Sequence, residues 1–451
     1  MAQGLRFIDA SGAAAAVELA ALRERLSPRG DVASPESRRK TQEVFGAPLA
    51  PREVVEKICR EVRERGVDAV LEYGRKLDRA ELDANALRVP AEELTGAHAA
   101  ADPEFLAAVR RIVANIRRFQ SAILAADVRV PLEDGELGLH YKPVRRVGIC
   151  IPGGAAAYPS TLLMTAVPAQ VAGVAELAVM APPTPFGAYN RDLLAVCHEL
   201  GVREVYRMGG AQGVAALAYG VDGVPAVDMI VGPGSLFVAL AKQHVAGVVG
   251  IDMLAGPTEV VIVADGSVDP DFLAADLISQ AEHSPGASIL LAWDRAYADR
   301  VADAIEPQLA RLARGDLARA SLAEFGAIVL VADEAAASEL ANELAAEHLQ
   351  LAVADPRALL PRIRNAGAVF LGANTPVAIG DYHAGPSHTL PTGGAARFSS
   401  ALSANAFRKA ISVIEYGPKE LRRAADDVRR IAAVEGLTAH SESVDIRLRK
   451  T

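Results

Sequence analysis

From Arg146 onward, short apolar segments alternate with amphipathic segments of helix length, and this alternation restricts the fold more than any other feature of the sequence. In the first run, strands and helices are predicted in turn at Val147–Ile151, Thr161–Ala172, Leu177–Met180, Arg191–Leu200, Glu204–Met208, Gln212–Tyr219, Asp228–Val231 and Ser235–Val248. Strands that are joined by helices of this length build a parallel, doubly wound sheet. Residues 146–255 are therefore expected to form a Rossmann-like lobe.

A second run of the same kind begins after the break at Ala255-Gly256-Pro257. Its predicted strands and helices are Val260–Ala264, Asp271–Glu282, Ser288–Trp293, Ala296–Leu312, Ala327–Val331, Glu334–Ala345, Leu349–Val353 and Ala368–Leu371. The predicted fold class is α/β, with two Rossmann-like doubly wound lobes that contain parallel sheets.

The segments outside these two runs give weaker signals. In the first fifty residues, Ala13–Leu26 fits a helix, and Ser27–Gly46 fits a loop because it is rich in charge, Pro, Ser and Gly. Apolar residues at helical spacing predict helices at Arg52–Lys76, broken at Gly66, and at Glu104–Phe119.

Glycine-rich turns, PGG, GGAQG and GPGS, follow three of the four strands that are predicted in the first run. In open α/β sheets, ligands bind beyond the carboxyl ends of the strands. Glycine also allows backbone amides to approach a phosphate closely. The GxGxxG fingerprint of dinucleotide-binding proteins is absent, so these turns fit a dinucleotide site and plain tight turns equally well.

Composition excludes several classes of function. The 451-residue chain has a net charge of −9 and no basic stripe, which argues against a nucleic-acid partner. The three cysteines are scattered, a pattern that favours a reducing compartment over a disulfide framework. Neither a secretory signal nor an uncharged apolar run of membrane-spanning length is visible. We therefore expect a soluble, cytoplasmic protein with no membrane partner.

Gln280 and His283 are the first candidates for chemistry, because they stand three residues apart near the end of a predicted helix. Asp381 adds a carboxylate on the Gly- and Pro-rich segment Gly372–Ser400, which is predicted as a long loop. With a later histidine, these side chains would make a zinc site. The alternative is a structural pair whose histidine binds the backbone.

Glu347 and His348 are candidates for a general acid–base pair, because an imidazole and a carboxylate can exchange protons near neutral pH. Adjacent residues on a strand point to opposite sides, so the two would share a site only at an irregular junction. The alternative is a solvated surface pair. Beyond them, Lys419–Glu435 predicts a helix with one apolar face, and the tail that follows contains His440.

Several motifs, in order and at matching spacing, resemble those of the histidinol dehydrogenase family between about Pro143 and Val444. They are PGGAAAYPSTLLMTAVPAQVAGV (152–174), MGGAQG (208–213), IVGPG (230–234), IDMLAGPTEVVIVAD (251–265), DLISQAEH (276–283), AAEHLQL (345–351), GDYHAGPSHTLPTGGAARFSS (380–400) and EGLTAH (435–440). The resemblance implies the zinc-dependent oxidation of L-histidinol to L-histidine by two successive hydride transfers to NAD, the last step of histidine biosynthesis.

The resemblance also implies a role for individual residues. The zinc ligands, one ion per subunit, would be Gln280, His283, Asp381 and His440. His440 would come from the partner subunit of a homodimer with shared active sites, and the catalytic acid–base pair would be Glu347 and His348. The substrate contacts would be Thr258, Gln280, His283, His348, Asp381, Glu435 and His440.

Gln212 matches a contact to NAD, and the two other positions of the cofactor set depart from the family pattern. Cys150 stands where the family usually has Tyr, and Ser235 stands where it usually has Asn. Thr258 replaces a usual Ser but keeps the hydroxyl. These departures fall on cofactor and substrate positions, whereas the metal and acid–base positions match the family pattern.

Domain boundaries follow from the pattern and the resemblance together. We expect an N-terminal arm (1–50), a lobe that carries the metal and catalytic residues (51–145 and 256–400), a cofactor-binding lobe (146–255) and a helical C-terminal dimerisation tail (401–451). Two alternative functions remain: a relative that oxidises another small amino or hydroxy alcohol with NAD, and a silent metal- or ligand-binding dimer.

Overall fold

The computed structural model describes residues 5–12, 15, 17, 18, 20, 21, 35–153, 156–254, 256–283 and 286–450. The strands in chain order are β1 (Arg6–Asp9), β2 (Val128–Leu132), β3 (Gly135–Pro143), β4 (Arg146–Cys150), β5 (Glu176–Ala181), β6 (Glu204–Arg207), β7 (Met229–Val231), β8 (Gly250–Ile251), β9 (Thr258–Ala264), β10 (Gly286–Ala292), β11 (Gly326–Leu330), β12 (His348–Ala352), β13 (Ala368–Leu371) and β14 (Arg408–Tyr416).

Helices α1 to α17 are numbered in chain order among these residues. They are α1 (Pro35–Phe45), α2 (Pro51–Arg65), α3 (Val67–Tyr73), α4 (Ala91–Ala99), α5 (Pro103–Ala122), α6 (Pro159–Ala172), α7 (Arg191–Glu199), α8 (Gly210–Tyr219), α9 (Leu236–Val245), α10 (Pro270–Ala281), α11 (Arg295–Leu309), α12 (Gly315–Phe325), α13 (Glu334–Leu344), α14 (Pro356–Leu359), α15 (Val377–Tyr382), α16 (Pro418–Glu435) and α17 (Thr438–Lys450). A π-helical turn, Gly74–Asp78, extends α3.

The first parallel sheet confirms the lobe that was predicted from Arg146 onward. Its strand order is β6-β5-β4-β7-β8, and every pair is parallel. Numbered within the lobe, this is the order 3-2-1-4-5 of the Rossmann fold, whose direction of winding reverses between β4 and β7. Apolar side chains cover both faces of the sheet, because α6 and α7 pack on one face and α8 and α9 on the other.

The second sheet repeats this topology with one additional strand. Its order is β1-β11-β10-β9-β12-β13, again all parallel. The additional strand β1 belongs to the segment that was predicted as an N-terminal arm, and it pairs with β11 at the sheet edge. The two parallel, doubly wound lobes are therefore as the sequence predicted.

The helices between residues 51 and 145 pack against the first sheet, whereas we had grouped them with residues 256–400. Val54, Ile58 and Val62 line one face of α2, and they are buried in the same cluster as α8 and α9. Helix α5 packs on α6, and Arg88 forms a bridge with Tyr206 of β6. These helices thus complete the two outer layers of the first lobe.

Three further predictions differ from the structure. Pro35–Phe45 is helical, although Ser27–Gly46 was predicted as a loop; residues 27–34 and most of the predicted helix Ala13–Leu26 lie outside the described residues. The loop predicted at Gly372–Ser400 contains α15. An antiparallel sheet of order β14-β3-β2 was not predicted at all, and its strand β14 lies in the supposedly helical tail.

The segment between α15 and β14 connects the two lobes. Ser387 Oγ donates to the carbonyl of Met164 in α6, and Thr392 Oγ1 accepts the backbone N–H of Gly256 in the connection to β9. Phe407 is buried in the core of the first lobe. Among the helices of the described residues, none combines the length and the apolar character that crossing a bilayer requires.

Candidate active site

The candidate catalytic residues lie at the amino ends of two central strands of the second sheet. Thr258 and Glu259 begin β9, and His348 begins the neighbouring strand β12. Helix α10 runs antiparallel to these strands, as a crossover helix must. Gln280 in its last turn therefore reaches the same end of the strands, which is called the amino edge, or simply the edge, from here on. The negative end of a helix dipole favours a nearby cation. This edge therefore combines acid–base groups with a place for positive charge.

Glu347 is buried, and the start of β9 holds its carboxylate. The hydroxyl of Thr258 and the backbone N–H of Glu259 both donate to Glu347 Oε2, the second over 3.0 Å. Burial raises the pKa of Glu347, while the neighbouring imidazole of His348 and these two hydrogen bonds oppose the rise. The carboxyl is thereby suited to exchange a proton closer to neutral pH than a solvated glutamate.

His348 is oriented through one ring nitrogen and leaves the other without a partner. Its Nδ1 lies 3.1 Å from the carbonyl oxygen of Glu259, and because a carbonyl only accepts, Nδ1 must carry the proton. Its Nε2 is buried without a hydrogen bond; Asp381 Oδ1 lies 3.6 Å away. In the neutral ring, Nε2 therefore holds the free lone pair that a base needs.

The protonation states of His348, Glu347 and Asp381 depend on one another, because the charge of each group acts on its neighbours. Burial alone would lower the pKa of His348, but the carboxylates of Glu347 and Asp381 outweigh burial and raise it to about 9. Burial raises the pKa of Asp381, but the neighbouring imidazoles outweigh burial, so that the net effect is a lowered pKa. His348 Nδ1 lies 3.6 Å from Glu347 Oε2, so the two residues form a buried pair and not a solvated surface pair.

Three of the four candidate metal ligands belong to this edge. Gln280 is buried, and its Nε2 donates to Thr258 Oγ1 over 2.6 Å, which leaves its carbonyl oxygen available as a ligand. His283 comes just after α10. Desolvation lowers its pKa against the opposing charge of Asp381, so the imidazole is neutral, the form that binds metal. An amide oxygen, an imidazole and a carboxylate are a donor set that fits zinc.

The fourth candidate ligand, His440, lies apart from the other three. His440 and Glu435 are both exposed, in α17 and at the end of α16. Among the described residues, no hydrogen bond or ion pair joins either of them to the edge that holds Gln280. Within the same part of the chain, no three His, Cys, Asp or Glu side chains are arranged to hold a metal ion. Within one chain, His440 and Glu435 are therefore not brought to the other candidate residues.

The candidate cofactor residues lie at the carboxyl ends of strands in the first lobe. Cys150 ends β4, and Ser235 caps α9 just after β7, so both flank the point where the winding reverses. Gly232 packs there against the backbone of Cys150; an added Cβ would meet the Cys150 carbonyl oxygen at 2.4 Å. Ser235 is exposed, whereas Cys150 is buried, and burial raises the pKa of its thiol to about 12.

Gln212, the third candidate, is buried in the first lobe. Its Nε2 donates to Asp78 over 3.0 Å, and its Oε1 has no hydrogen-bond partner. Burial raises the pKa of Asp78 to about 6. A small pocket adjoins both side chains and is also lined by Arg207. A residue outside the two runs of alternating strands and helices thus supplies the group that holds Gln212.

Sequence reasoning missed three more residues of this region. Glu259 contacts both members of the acid–base pair through its backbone, and His388 Nδ1 lies 2.9 Å from the backbone carbonyl of Asp381. Asn115 of α5 donates to the backbone carbonyl of His383 over 3.2 Å. For Glu259 a signal existed, because it is a charged residue inside the apolar strand TEVVIVA. Nothing in the sequence brings Asn115 to residue 383.

Known proteins resemble this chain in both sequence and fold. The profile of the family described as "Histidinol dehydrogenase" matches residues 47–448. The chain is 57% identical to the histidinol dehydrogenase of Rhodopirellula baltica over 440 residues, which cover 97% of this chain and 96% of that protein. It is 48% identical to the histidinol dehydrogenase of Syntrophotalea carbinolica, over 89% of this chain and 94% of that protein.

The fold matches a solved structure over nearly its whole length. The crystal structure of histidinol dehydrogenase from Elizabethkingia anophelis superposes with a TM-score of 0.88 at 30% identity, covering 99% of this chain and 98% of that chain. Family profile, relatives and fold thus agree along the same stretch of sequence. The chain belongs to the histidinol dehydrogenase family, whose members are oxidoreductases that act on CH–OH groups.

Proposed function

We propose that this protein oxidises L-histidinol to L-histidine in two successive hydride transfers to NAD, with one zinc ion per active site. The observation that carries the proposal is the buried Glu347–His348 pair beside Gln280, His283 and Asp381 at one sheet edge. Two carbon-centred oxidations need a base for the alcohol and a group that activates water for the aldehyde level. The edge offers one residue for each task.

His348 takes the alcohol proton when the first hydride leaves. The hydrogen bond from Nδ1 to the Glu259 carbonyl fixes the tautomer, and the partnerless Nε2 is the acceptor. Because Asp381 is also a proposed ligand, its engagement by a cation withdraws one of the two carboxylates that raise the pKa of His348. The imidazole then becomes a better acceptor at neutral pH.

Glu347 activates the water that attacks the aldehyde-level intermediate before the second oxidation. Its burial supports this role, since a desolvated carboxylate is a stronger base than one in water. The hydrogen bond from Thr258 and the Glu259 amide hold its Oε2, which leaves Oε1 to receive the proton. A positioned base of this kind contributes roughly 10²–10⁴-fold to the rate.

The zinc site is proposed to join Gln280, His283 and Asp381 of one chain with His440 of a second chain. When bound, the ion supplies a Lewis-acidic anchor that orients the amine and imidazole nitrogens of histidinol. The buried Gln280 amide and the neutral His283 ring are ready to coordinate without further proton release. Glu435, near His440, would pair with a cationic nitrogen of the substrate.

A homodimer with shared active sites supplies the missing ligand. Large apolar side chains are exposed on the antiparallel sheet and on the tail helix: Val128, Val130, Ile411, Ile414, Ile431 and Val434. Contiguous exposed apolar surface is a feature of protein–protein interfaces, and Val130 and Ile414 flank Leu137 on neighbouring strands.

NAD is proposed to bind where the winding of the first sheet reverses, near Ser235, with Gln212 and Cys150 behind it. Ser235 makes no side-chain capping hydrogen bond at the start of α9, so its hydroxyl is available to a ligand. The N-terminus of that helix favours the negative charge of a pyrophosphate. Three buried free cysteines fit the reducing, cytoplasmic setting of a biosynthetic enzyme.

The proposal is tested by combining a metal analysis with a steady-state assay. The purified protein should contain one zinc per chain and should form two NADH per histidinol consumed. Absence of NADH at saturating histidinol, together with turnover of another small amino or hydroxy alcohol, would favour the alternative substrate. A protein with zinc but without activity on either class would instead be a binding protein.

A further inference from the structure

We propose that Glu259 is a positioning residue for the acid–base pair: a single side-chain oxygen ties both the Glu347–His348 junction and the Thr392–Gly394 loop to the start of β9. The inference rests on the proposed roles of Glu347 and His348. It concerns a residue that touches no substrate atom itself and acts through its neighbours.

The side chain of Glu259 binds two backbone groups that are far apart in sequence. Its Oε1 accepts the N–H of Gly393 over 3.0 Å and the N–H of Glu347 over 3.3 Å. The side chain is only 3% exposed, so water cannot replace it as the acceptor of these two donors. Buried amides without an acceptor are costly, and the carboxyl therefore determines where both segments lie.

The backbone of Glu259 contacts the functional atoms on the other side of the same junction. Its N–H donates to the Glu347 carboxylate, and its carbonyl oxygen accepts from His348 Nδ1. Four hydrogen bonds of one residue thus set the position of Glu347, the tautomer of His348 and the path of the loop. A shift of Glu259 would move the base, the water-activating group and the loop together.

The surroundings of the side chain favour a role as hydrogen-bond acceptor over a role in proton transfer. Backbone amides occupy its inner oxygen, and burial next to Glu347 raises its pKa to about 8. A protonated carboxyl presents the same accepting oxygen as an amide. The carbonyl of a glutamine can therefore replace this oxygen, whereas the thioether of a methionine has the right length but no comparable acceptor.

The test compares Glu259→Met and Glu259→Gln, with Ser288→Ala as a matched control. Ser288 is buried on the adjacent strand and donates to the Leu277 carbonyl, so its loss destabilises the same sheet without removing a hydrogen bond of Glu259, Glu347 or His348. We expect Glu259→Met to lower kcat about 100-fold, the size of effect that a misplacement of about 1 Å produces. KM for histidinol and NAD should stay within about threefold, since substrate contacts are kept.

Glu259→Gln should recover most of the lost kcat, and Ser288→Ala should lower thermal stability while keeping kcat. Hydrogen exchange should rise in Glu259→Met only at the amides of Glu347 and Gly393. Equal kcat in Glu259→Met and Ser288→Ala would overturn the proposal, and so would a Glu259→Gln variant as inactive as the methionine variant.

If Glu259→Met does not fold, Glu259→Gln decides alone: retained kcat supports the acceptor role, and loss of kcat refutes it. Inactive unmodified protein would refute the proposed function, and the exchange experiment would still test Glu259.

Discussion

At the scale of single residues, the backbone of Ala345 explains how two adjacent side chains share one site. Ala345 ends α13 in the left-handed conformation, with φ of 48°. A non-glycine residue rarely adopts this conformation, and it turns the chain sharply before β12 begins. Glu347 therefore lies on an irregular junction and not inside a strand, which satisfies the condition under which it could act together with His348.

His348 gives the most direct prediction at this scale. His348→Ala should lower kcat by roughly 10²–10⁴-fold, the usual contribution of a positioned base. Zinc content should be unchanged, because the proposed ligands are other residues. Turnover and metal content of the purified variant measure both effects. The exposed His244→Ala serves as a control for histidine removal, and unchanged turnover in His348→Ala would refute its role.

At the scale of elements, a buried ion pair connects the candidate cofactor turn with the chain that crosses into the second lobe. Lys242 of α9 and Asp252 after β8 form this pair, with side chains 2% and 0% exposed. Lys242 Nζ also donates to the Gly232 carbonyl over 3.0 Å, and the Gly232 N–H donates to Asp252 over 2.7 Å. The pair thus holds both backbone groups of Gly232.

Removing one partner of this pair should be strongly destabilising. Lys242→Met leaves the Asp252 carboxylate buried without its cation, and such a change costs about 3–5 kcal/mol in the free energy of unfolding. Arg364→Met is the control, because its pair with Glu339 is more than half exposed and solvent screening leaves such a pair with little effect on stability. Urea unfolding of both variants makes the comparison; equal losses would show that burial does not set the strength of the inner pair.

The stability that comes from the contact of α4, α5 and α7 should fall at acid pH, because Glu199 joins the three helices. Arg110 donates to both of its carboxylate oxygens and His98 contacts it at 2.7 Å, and together they lower the pKa of Glu199 to about 2. A carboxyl whose folded pKa is depressed adds stability above its unfolded pKa and loses it as pH falls toward the folded value. This contribution should therefore disappear between about pH 5 and pH 2.

Unfolding of Glu199→Gln measures this contribution. The variant should be less stable than the unmodified protein at neutral pH, and the difference should shrink as pH falls through this range. The exposed Glu64→Gln is the matched control. A stability difference that stays constant across the acid range would mean that the ion pairs of Glu199 do not stabilise the fold.

At the scale of the whole molecule, the proposal that His440 acts across subunits can be tested by complementation. His440→Ala should lose zinc and activity yet remain dimeric, since the exposed apolar surface is untouched, and His283→Ala should also be inactive. A heterodimer of the two variants would contain one site with both histidines and one site with neither. A purified heterodimer should therefore recover about half of the unmodified activity.

The same experiment distinguishes a His440 that binds the zinc of the partner chain from one that binds the zinc of its own chain. If His440 served its own chain, each site of the heterodimer would lack one histidine, and activity would not return. Full zinc occupancy in His440→Ala would contradict the ligand assignment itself. Size-exclusion chromatography of every variant checks that the dimer is present throughout.

The two parallel lobes could be predicted from the amino-acid sequence, because the period of the apolar residues shows which side of each segment is buried. Gln280, His283, Glu347, His348 and Asp381 could be named as candidates in the same way, since spacing and motif order are local properties of the chain. Which surfaces meet could be learned from the folded structure alone. The pairing of Gly135 with Tyr416, the packing of α2 on the first lobe and the contacts of Glu259 join segments far apart in sequence. Local periodicity carries no information about such partners, because long-range contacts form only when whole elements compete to bury their apolar faces.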